Sequence, residues 1–176
     1  MTITEPNKSW ERLDHGSRGV TVLGSTGSIG INTLDVLARH PDRYRIVALT
    51  ANTQVDRLFD QCRRFLPQKA VMLDSRAAAS LKEKIRNQKL DIDVLSGTDG
   101  LNAVATHPRS HIVVAAIVGA AGLLPTLNAV RAGKRVLLAN KESLVVSGHV
   151  FIEEAQRCGA ELLPVEVELP ADPMQR

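Results

Sequence analysis

Between Val20 and Gly30 the chain reads VTVLGSTGSIG, a β-branched apolar run that gives way to glycines at positions 24, 27 and 30. Glycines so spaced, after a strand and ahead of a helix, leave backbone N–H groups bare at a helix N-terminus. That geometry holds a phosphate. The three glycines permit a tight turn, close approach of a pyrophosphate, and near contact between helix and strand. Thr26 and Ser28 add hydroxyl donors. A triphosphate-binding loop is disfavoured, because Ile31-Asn32-Thr33 follows the last glycine where such a loop needs a lysine. The expected ligand is a dinucleotide.

The end of the next apolar run distinguishes the two nicotinamide cofactors. NAD enzymes usually place a carboxylate there to accept hydrogen bonds from the ribose hydroxyls. Here the chain reads Thr50-Ala51-Asn52-Thr53-Gln54, with no acid until Asp56. Nothing in that segment repels a 2′-phosphate and its neutral groups can donate to one, so NADPH is expected over NADH. Two later stretches also place chemistry at strand ends. In AAIVGAAGLLPTLNAVRAGK, the small residues Gly119, Ala120, Ala121 and Gly122 either let a nicotinamide ring lie against backbone or serve tight strand-to-helix packing. In LLANKESLVVSG, an apolar run delivers Asn140, Lys141, Glu142 and Ser143 in a row. An amide, an ammonium and a carboxylate are poor core residues, and ligands of open parallel sheets bind at the carboxyl ends of strands.

Short β-rich runs must position these groups. They start at Val20, Arg45, Ala70, Ile92, Ile112, Arg135 and Glu161, the last reading ELLPVEV to Val167. Several are apolar throughout, as strands buried on both faces should be. Between them INTLDVLARH, VDRLFDQCRRF, RAAASLKEKIRN, LLPTLNAVRAG and SGHVFIEEAQRCG carry apolar residues at helical spacing. The first should end near Arg39, ahead of His40-Pro41, and Gly133 and Gly159 read as helix C-caps. Alternating strands and helices predict an α/β fold, a doubly wound parallel sheet of Rossmann type.

Composition narrows the class. The 176 residues carry a net charge of +3, with 44% hydrophobic and 3% aromatic content. The basic residues are scattered and stacking platforms are scarce, so no nucleic-acid partner is expected. Cys62 and Cys158 form neither a CxxC pair nor a cluster with histidine, which fits a reducing cytoplasm. The five histidines sit in tail, turn or helix contexts without metal-ligand pairing. The N-terminal run has neither the apolar core of a signal peptide nor a stretch able to cross a bilayer, so no membrane is expected. Residues 1–18 read as a polar tail with Trp10 as its one docking point.

GSTGSIG, AAIVGAAGLLPTLNAVRAGK and LLANKESLVVSG together resemble the N-terminal domain of the 1-deoxy-D-xylulose 5-phosphate reductoisomerases, from Val20 to about Glu168. The resemblance implies an NADPH-dependent enzyme of non-mevalonate isoprenoid biosynthesis. It rearranges a phosphosugar, 1-deoxy-D-xylulose 5-phosphate, and reduces it to 2-C-methyl-D-erythritol 4-phosphate, with a divalent metal (Mg, Mn or Co) on the substrate oxygens. The full-length family is homodimeric. By the same resemblance Thr26, Gly27, Ser28 and Ile29 contact the pyrophosphate, and Asn52 and Gln54 occupy the 2′-phosphate segment. Asn140 and Glu142 lie on the nicotinamide side, and Lys141 contacts substrate.

Where the family reads Asp-Ser-Glu-His-Asn this chain reads Glu166-Val167-Glu168-Leu169-Pro170. Glu166 and Glu168 keep the spacing of the family's two metal-binding carboxylates, on one side of an extended strand, with Glu168 also in the substrate-contacting position. They fit either a metal site or a solvated strand. Val167 cannot donate the hydrogen bond of the family's serine. The expected organisation is a tail at 1–18, an NADPH-binding domain at 19–168 and a non-family end at 169–176. The family's catalytic domain lies beyond that point, so the chain is expected to resemble a truncated or frame-shifted product that binds cofactor without turnover.

Overall fold

The structure, a computed structural model, describes residues 16–139 and 141–165, with backbone alone for 141–146. The strands are β1 Arg18–Leu23, β2 Tyr44–Ala51, β3 Lys69–Met72, β4 Asp93–Ser96, β5 Ile112–Ala115, β6 Arg135–Leu138 and β7 Glu161–Pro164. The helices are α1 Ser28–Ala38, α2 Val55–Phe65, α3 Ser75–Asn87, α4 Gly97–Ala105, α5 Leu123–Arg131 and α6 Lys141–Cys158. One sheet carries the strands in the order β4-β3-β2-β1-β5-β6-β7, and every recorded pairing is parallel. The order reverses between β1 and β5, the switch point at which doubly wound sheets open a crevice.

Side-chain alternation divides the core between two faces. Val20, Val22, Leu49, Met72 and Val114 point to the face covered by Leu34 of α1, Leu58 of α2 and Leu81 of α3. Leu23, Ala48, Val71, Val113 and Val136 point to the face covered by Val104 of α4, Val130 of α5 and Phe151 of α6. Val22, Leu23, Val47, Leu49 and Val71 are fully buried. Each large aliphatic side chain buried in this way contributes about 1.5–3 kcal/mol.

The helix ends follow their local chemistry. The Asp74 carboxylate accepts from the Ala77 N–H at 2.7 Å and caps α3. Gly133 and Gly159 take φ of +69° past the ends of α5 and α6, the left-handed position expected for them. The α1 helix ends with Arg39 as its C-cap.

Several elements differ from the sequence expectation. The α4 helix was not anticipated, because GTDGLNAVA carries two glycines and little more than one turn of apolar spacing. A Cβ at Gly100 would stand 2.9 Å from Val71 and 3.1 Å from Leu95, so tertiary packing demands a residue whose propensity argues against a helix. The α6 helix starts at Lys141, six residues before the expected Ser147. Lys141, Glu142 and Ser143 therefore form its first turn and not a strand-end loop. Pairing of β5 stops at Ala115, two residues short of the end of the apolar run IVVAAI that begins at Ile112, and that of β7 at Pro164. The rest of the run to Val167, the tail to residue 15 and the end at 169–176 lie outside the described residues.

Candidate dinucleotide site at the carboxyl edge

The glycine turn sits at the carboxyl end of β1, against the start of α1. Gly24 takes φ of +81°, and a Cβ there would stand 2.8 Å from the Ala116 carbonyl at the end of β5. Gly30 is tighter: its Cβ would meet the Gly24 carbonyl oxygen at 2.3 Å and the Ser25 Cα at 2.6 Å. Gly27 differs from both, since a Cβ there would have only the Gly24 carbonyl, at 3.7 Å, within ordinary contact. The bare Cα of Gly27 is not required by protein packing, and it lines an open cleft.

Gly27 is also the N-cap of α1, which has no side-chain cap and no acidic residue in its first turn. The first-turn N–H groups of α1 thus lack a side-chain acceptor and carry the positive end of the helix dipole. Ser28 and Ile29 open this helix, Ser28 exposed and Ile29 half-buried, while Thr26 is buried in the turn. The observed donors fit the pyrophosphate of a dinucleotide.

The cleft beside the turn has a volume of about 250 Å³. Its walls come from the turn after β1 (Gly24, Thr26), the end of β2 and the residue after it (Thr50, Asn52) and the segment after β5 (Ile117, Val118). Val118 is 82% exposed, an apolar side chain left at the mouth. The small-residue run divides between cleft and packing. Ala121 lines the cleft, whereas Gly122 serves packing, with a Cβ there only 2.9 Å from that of Ile117.

Asn52 and Gln54 are both exposed. Asn52 lines the cleft and its carbonyl accepts from the Asp74 N–H at 3.2 Å. Gln54 is the N-cap of α2, with no side-chain bond to the helix. The next acid in the chain, Asp56, is engaged by Lys84 at 3.1 Å. Asp74 stands beside the end of β2, and its carboxylate is committed to the Ala77 N–H at 2.7 Å, capping α3.

Four residues that sequence reasoning missed hold the turn in place. The Thr50 hydroxyl accepts from the Gly24 N–H at 2.9 Å, and its carbonyl accepts from the Ser25 N–H at 2.8 Å. The buried Ser25 hydroxyl donates to Gln61 Oε1 at 2.7 Å, while Gln61 Nε2 donates to the Ser25 carbonyl at 2.8 Å. One helical turn earlier on α2, Arg57 Nη1 donates to the Thr26 carbonyl at 3.0 Å. A glutamine beside the buried Leu58 and Cys62 stripe is the one local signal of this clamp.

Lys141 and Glu142 open α6 just beyond β6, on the same edge of the sheet. Asn140, Glu166 and Glu168 lie outside the described residues. Among the described residues no group of three or more His, Cys, Asp or Glu side chains could hold a metal ion. A larger cavity, about 500 Å³, lies elsewhere, between α1 and the β6–β7 end of the sheet. It is lined by Val36, Leu137 and Leu163, and its Arg135 is tied to Glu161 at 2.6 Å. Ile29, which the resemblance assigns to the pyrophosphate, lines that groove and not the 250 Å³ cleft.

The family model of 1-deoxy-D-xylulose 5-phosphate reductoisomerase matches residues 20–148. The reductoisomerase of Methylococcus capsulatus is 59% identical over 152 residues, covering 86% of this chain and 39% of that protein. That of Aromatoleum aromaticum is 58% identical over 149 residues, covering 85% and 37%. A crystal structure of DOX-P reductoisomerase in complex with NADPH, fosmidomycin and magnesium superposes with a TM-score of 0.80 at 47% identity, over 84% of this chain and 36% of that one. The Zymomonas mobilis enzyme in complex with NADPH gives 0.82 at 43% identity, over 88% and 40%. The chain thus spans about two fifths of the length of the curated relatives it matches. With its parallel sheet, its glycine turn and this degree of identity, the chain belongs to the 1-deoxy-D-xylulose 5-phosphate reductoisomerase family.

Proposed function

We propose that this chain is the NADPH-binding part of a reductoisomerase that converts 1-deoxy-D-xylulose 5-phosphate to 2-C-methyl-D-erythritol 4-phosphate in the non-mevalonate route to isoprenoids. The observation that carries the reading is the uncapped start of α1, whose Gly27 leaves its Cα bare toward the cleft for no reason of protein packing. When bound, NADPH supplies the hydride that reduces the aldehyde formed by rearrangement of the sugar. Thr26, Gly27, Ser28 and Ile29 hold its pyrophosphate through the first-turn N–H groups and hydroxyls. Asn52 and Gln54 flank the adenosine ribose at the end of β2, and Ile117 and Val118 exclude water along one wall.

Asn140 and Glu142 orient the nicotinamide and Lys141 binds the phosphosugar, at the head of α6 where the dipole favours an anion. Glu166 and Glu168 would be ligands for magnesium, manganese or cobalt, with Glu168 also touching substrate. A DOX-P reductoisomerase crystallised in complex with NADPH, fosmidomycin and magnesium supports this reading. We place the protein in the cytoplasm, where Cys62 and Cys158, both thiols, would stay reduced. No helix among the described residues is long and apolar enough to cross a membrane. A homodimer is the proposed assembly of the full-length family protein.

The 176-residue polypeptide by itself is expected to bind NADPH without turning over substrate. Positioning two reactants supplies about 7–11 kcal/mol of barrier reduction, and at about 1.4 kcal/mol per factor of ten its loss takes the rate below ordinary assays. The test follows NADPH absorbance on the purified polypeptide with 1-deoxy-D-xylulose 5-phosphate and manganese, beside an equilibrium NADPH titration. Saturable binding without oxidation is the expected result. Sustained oxidation that vanishes in Lys141→Ala would overturn the binding-only reading, and no saturable binding would overturn the cofactor assignment.

A further inference from the structure

We propose that Arg57 is the residue that reads the 2′-phosphate of NADPH, an inference that rests on the cofactor reading above and goes beyond the neutral Asn52–Gln54 segment. In doubly wound folds the pyrophosphate lies at the β1–α1 turn and the adenosine ribose at the end of β2. The Arg57 guanidinium occupies the seam between the two. It rises from the first turn of α2, three residues after Gln54, and reaches back to the Thr26 carbonyl at 3.0 Å. That bond uses one of five N–H donors.

The neighbouring acids are taken by other cations. Asp56 pairs with Lys84 at 3.1 Å, Asp60 with Arg63 at 4.0 Å, and Asp35 with Arg64 at 3.5 Å. Among the described residues no carboxylate pairs with Arg57, and the side chain is exposed. The Asp74 carboxylate, near Asn52, is committed to capping α3. An anchored, planar, permanently charged fork beside a ribose site is the donor set that a phosphate dianion accepts in bidentate fashion. Because the Thr26 carbonyl holds one edge of the guanidinium, less side-chain freedom is lost when the phosphate arrives. The same bond ties the reader of the ribose phosphate to the loop that holds the pyrophosphate, so NADPH would tighten both at once.

The test is calorimetric titration of the full chain with NADPH and NADH, and with adenosine 2′,5′-bisphosphate against adenosine 5′-monophosphate. Arg57→Gln keeps a neutral donor for the Thr26 carbonyl while removing the charge, and Arg57→Lys keeps the charge without the fork. Wild-type chain should prefer each 2′-phosphorylated ligand. In Arg57→Gln that preference ratio should fall about ten- to a hundredfold, the range for hydrogen bonds to charged groups, with Arg57→Lys intermediate. A ratio unchanged in Arg57→Gln, or a wild-type chain that holds both ligands of a pair equally, overturns the proposal while leaving cofactor binding intact. A wild-type chain that binds neither dinucleotide retires the cofactor reading and this inference together.

Discussion

Gly27 and Gly30 look alike in the sequence and do opposite work. Gly30 is forced by the protein itself, since a methyl group there would collide with the Gly24 carbonyl at 2.3 Å. Gly27 meets nothing closer than 3.7 Å and has φ of −77°, open to any residue. Gly30→Ala is therefore expected to destabilise the fold by about 1–3 kcal/mol, as overpacking does, seen as a lower urea midpoint. Gly27→Ala should stay within about 1 kcal/mol of wild type and yet lose at least tenfold in NADPH affinity by titration, because its methyl group stands where the pyrophosphate approaches. The glycine turn was legible in sequence because three glycines between a strand and a helix are a local pattern. How tightly Gly24 and Gly30 are held was not, because Gly24, Ser25 and Ala116 come together only in the folded sheet.

At the scale of elements, α2 clamps the turn through side chains more than thirty residues away in the chain. Gln61→Leu removes both partners of the Ser25 hydroxyl and carbonyl on the helix side, and an unmade bond to a buried polar group costs about 1–3 kcal/mol. Urea unfolding should show that loss, and NADPH affinity should fall with it because the turn is no longer held. The opposite edge of the sheet carries a pH dependence. His111 Nδ1 accepts from the Gly19 N–H at 3.1 Å. Burial first, then Lys134, Arg18 and Arg45, holds the His111 imidazole below its ordinary value of 6.5. Burial, Lys69, Lys134 and Arg109 do the same to His107.

Both histidines take up a proton more readily in the unfolded chain, so their contribution is fully present above pH 6.5 and is lost as pH falls below it. Unfolding midpoints should drop between pH 7.5 and pH 5, and His111→Asn should flatten the drop, leaving the share of His107. Strand and helix periodicity made most elements legible. The α4 helix escaped because its Gly100 answers to Val71 and Leu95 of the sheet, and the start of α6 escaped because Asn-Lys-Glu-Ser reads equally as a polar loop and a first helical turn. His111 gave no local sign of its partner, which lies ninety-two residues away.

Across the whole molecule, the parallel sheet follows from the alternation of strands and helices and the right-handed crossover rule, which is why it could be read in advance, whereas the strand order is seen only in the structure. Helices α1 to α3 cover the β1–β4 end of one face, and α4 to α6 pack on the other. Between α1 and the β6–β7 end this leaves the 500 Å³ apolar groove, with Val36 55% and Leu163 37% exposed. A further cavity of about 490 Å³ lies beside Tyr44 and Phe65, and of these concavities the 250 Å³ cleft is the one the glycine turn borders. The central claim, that NADPH binds at the carboxyl edge between β1 and β5, is tested most directly by amide chemical-shift mapping during an NADPH titration of the isotope-labelled chain. The expected result is saturable shifts at Gly24–Gly30, Thr50–Gln54 and Ala116–Ala121, with Leu137 and Leu163 unmoved. Shifts confined to the groove beside β7, or to the His111 edge, would contradict it.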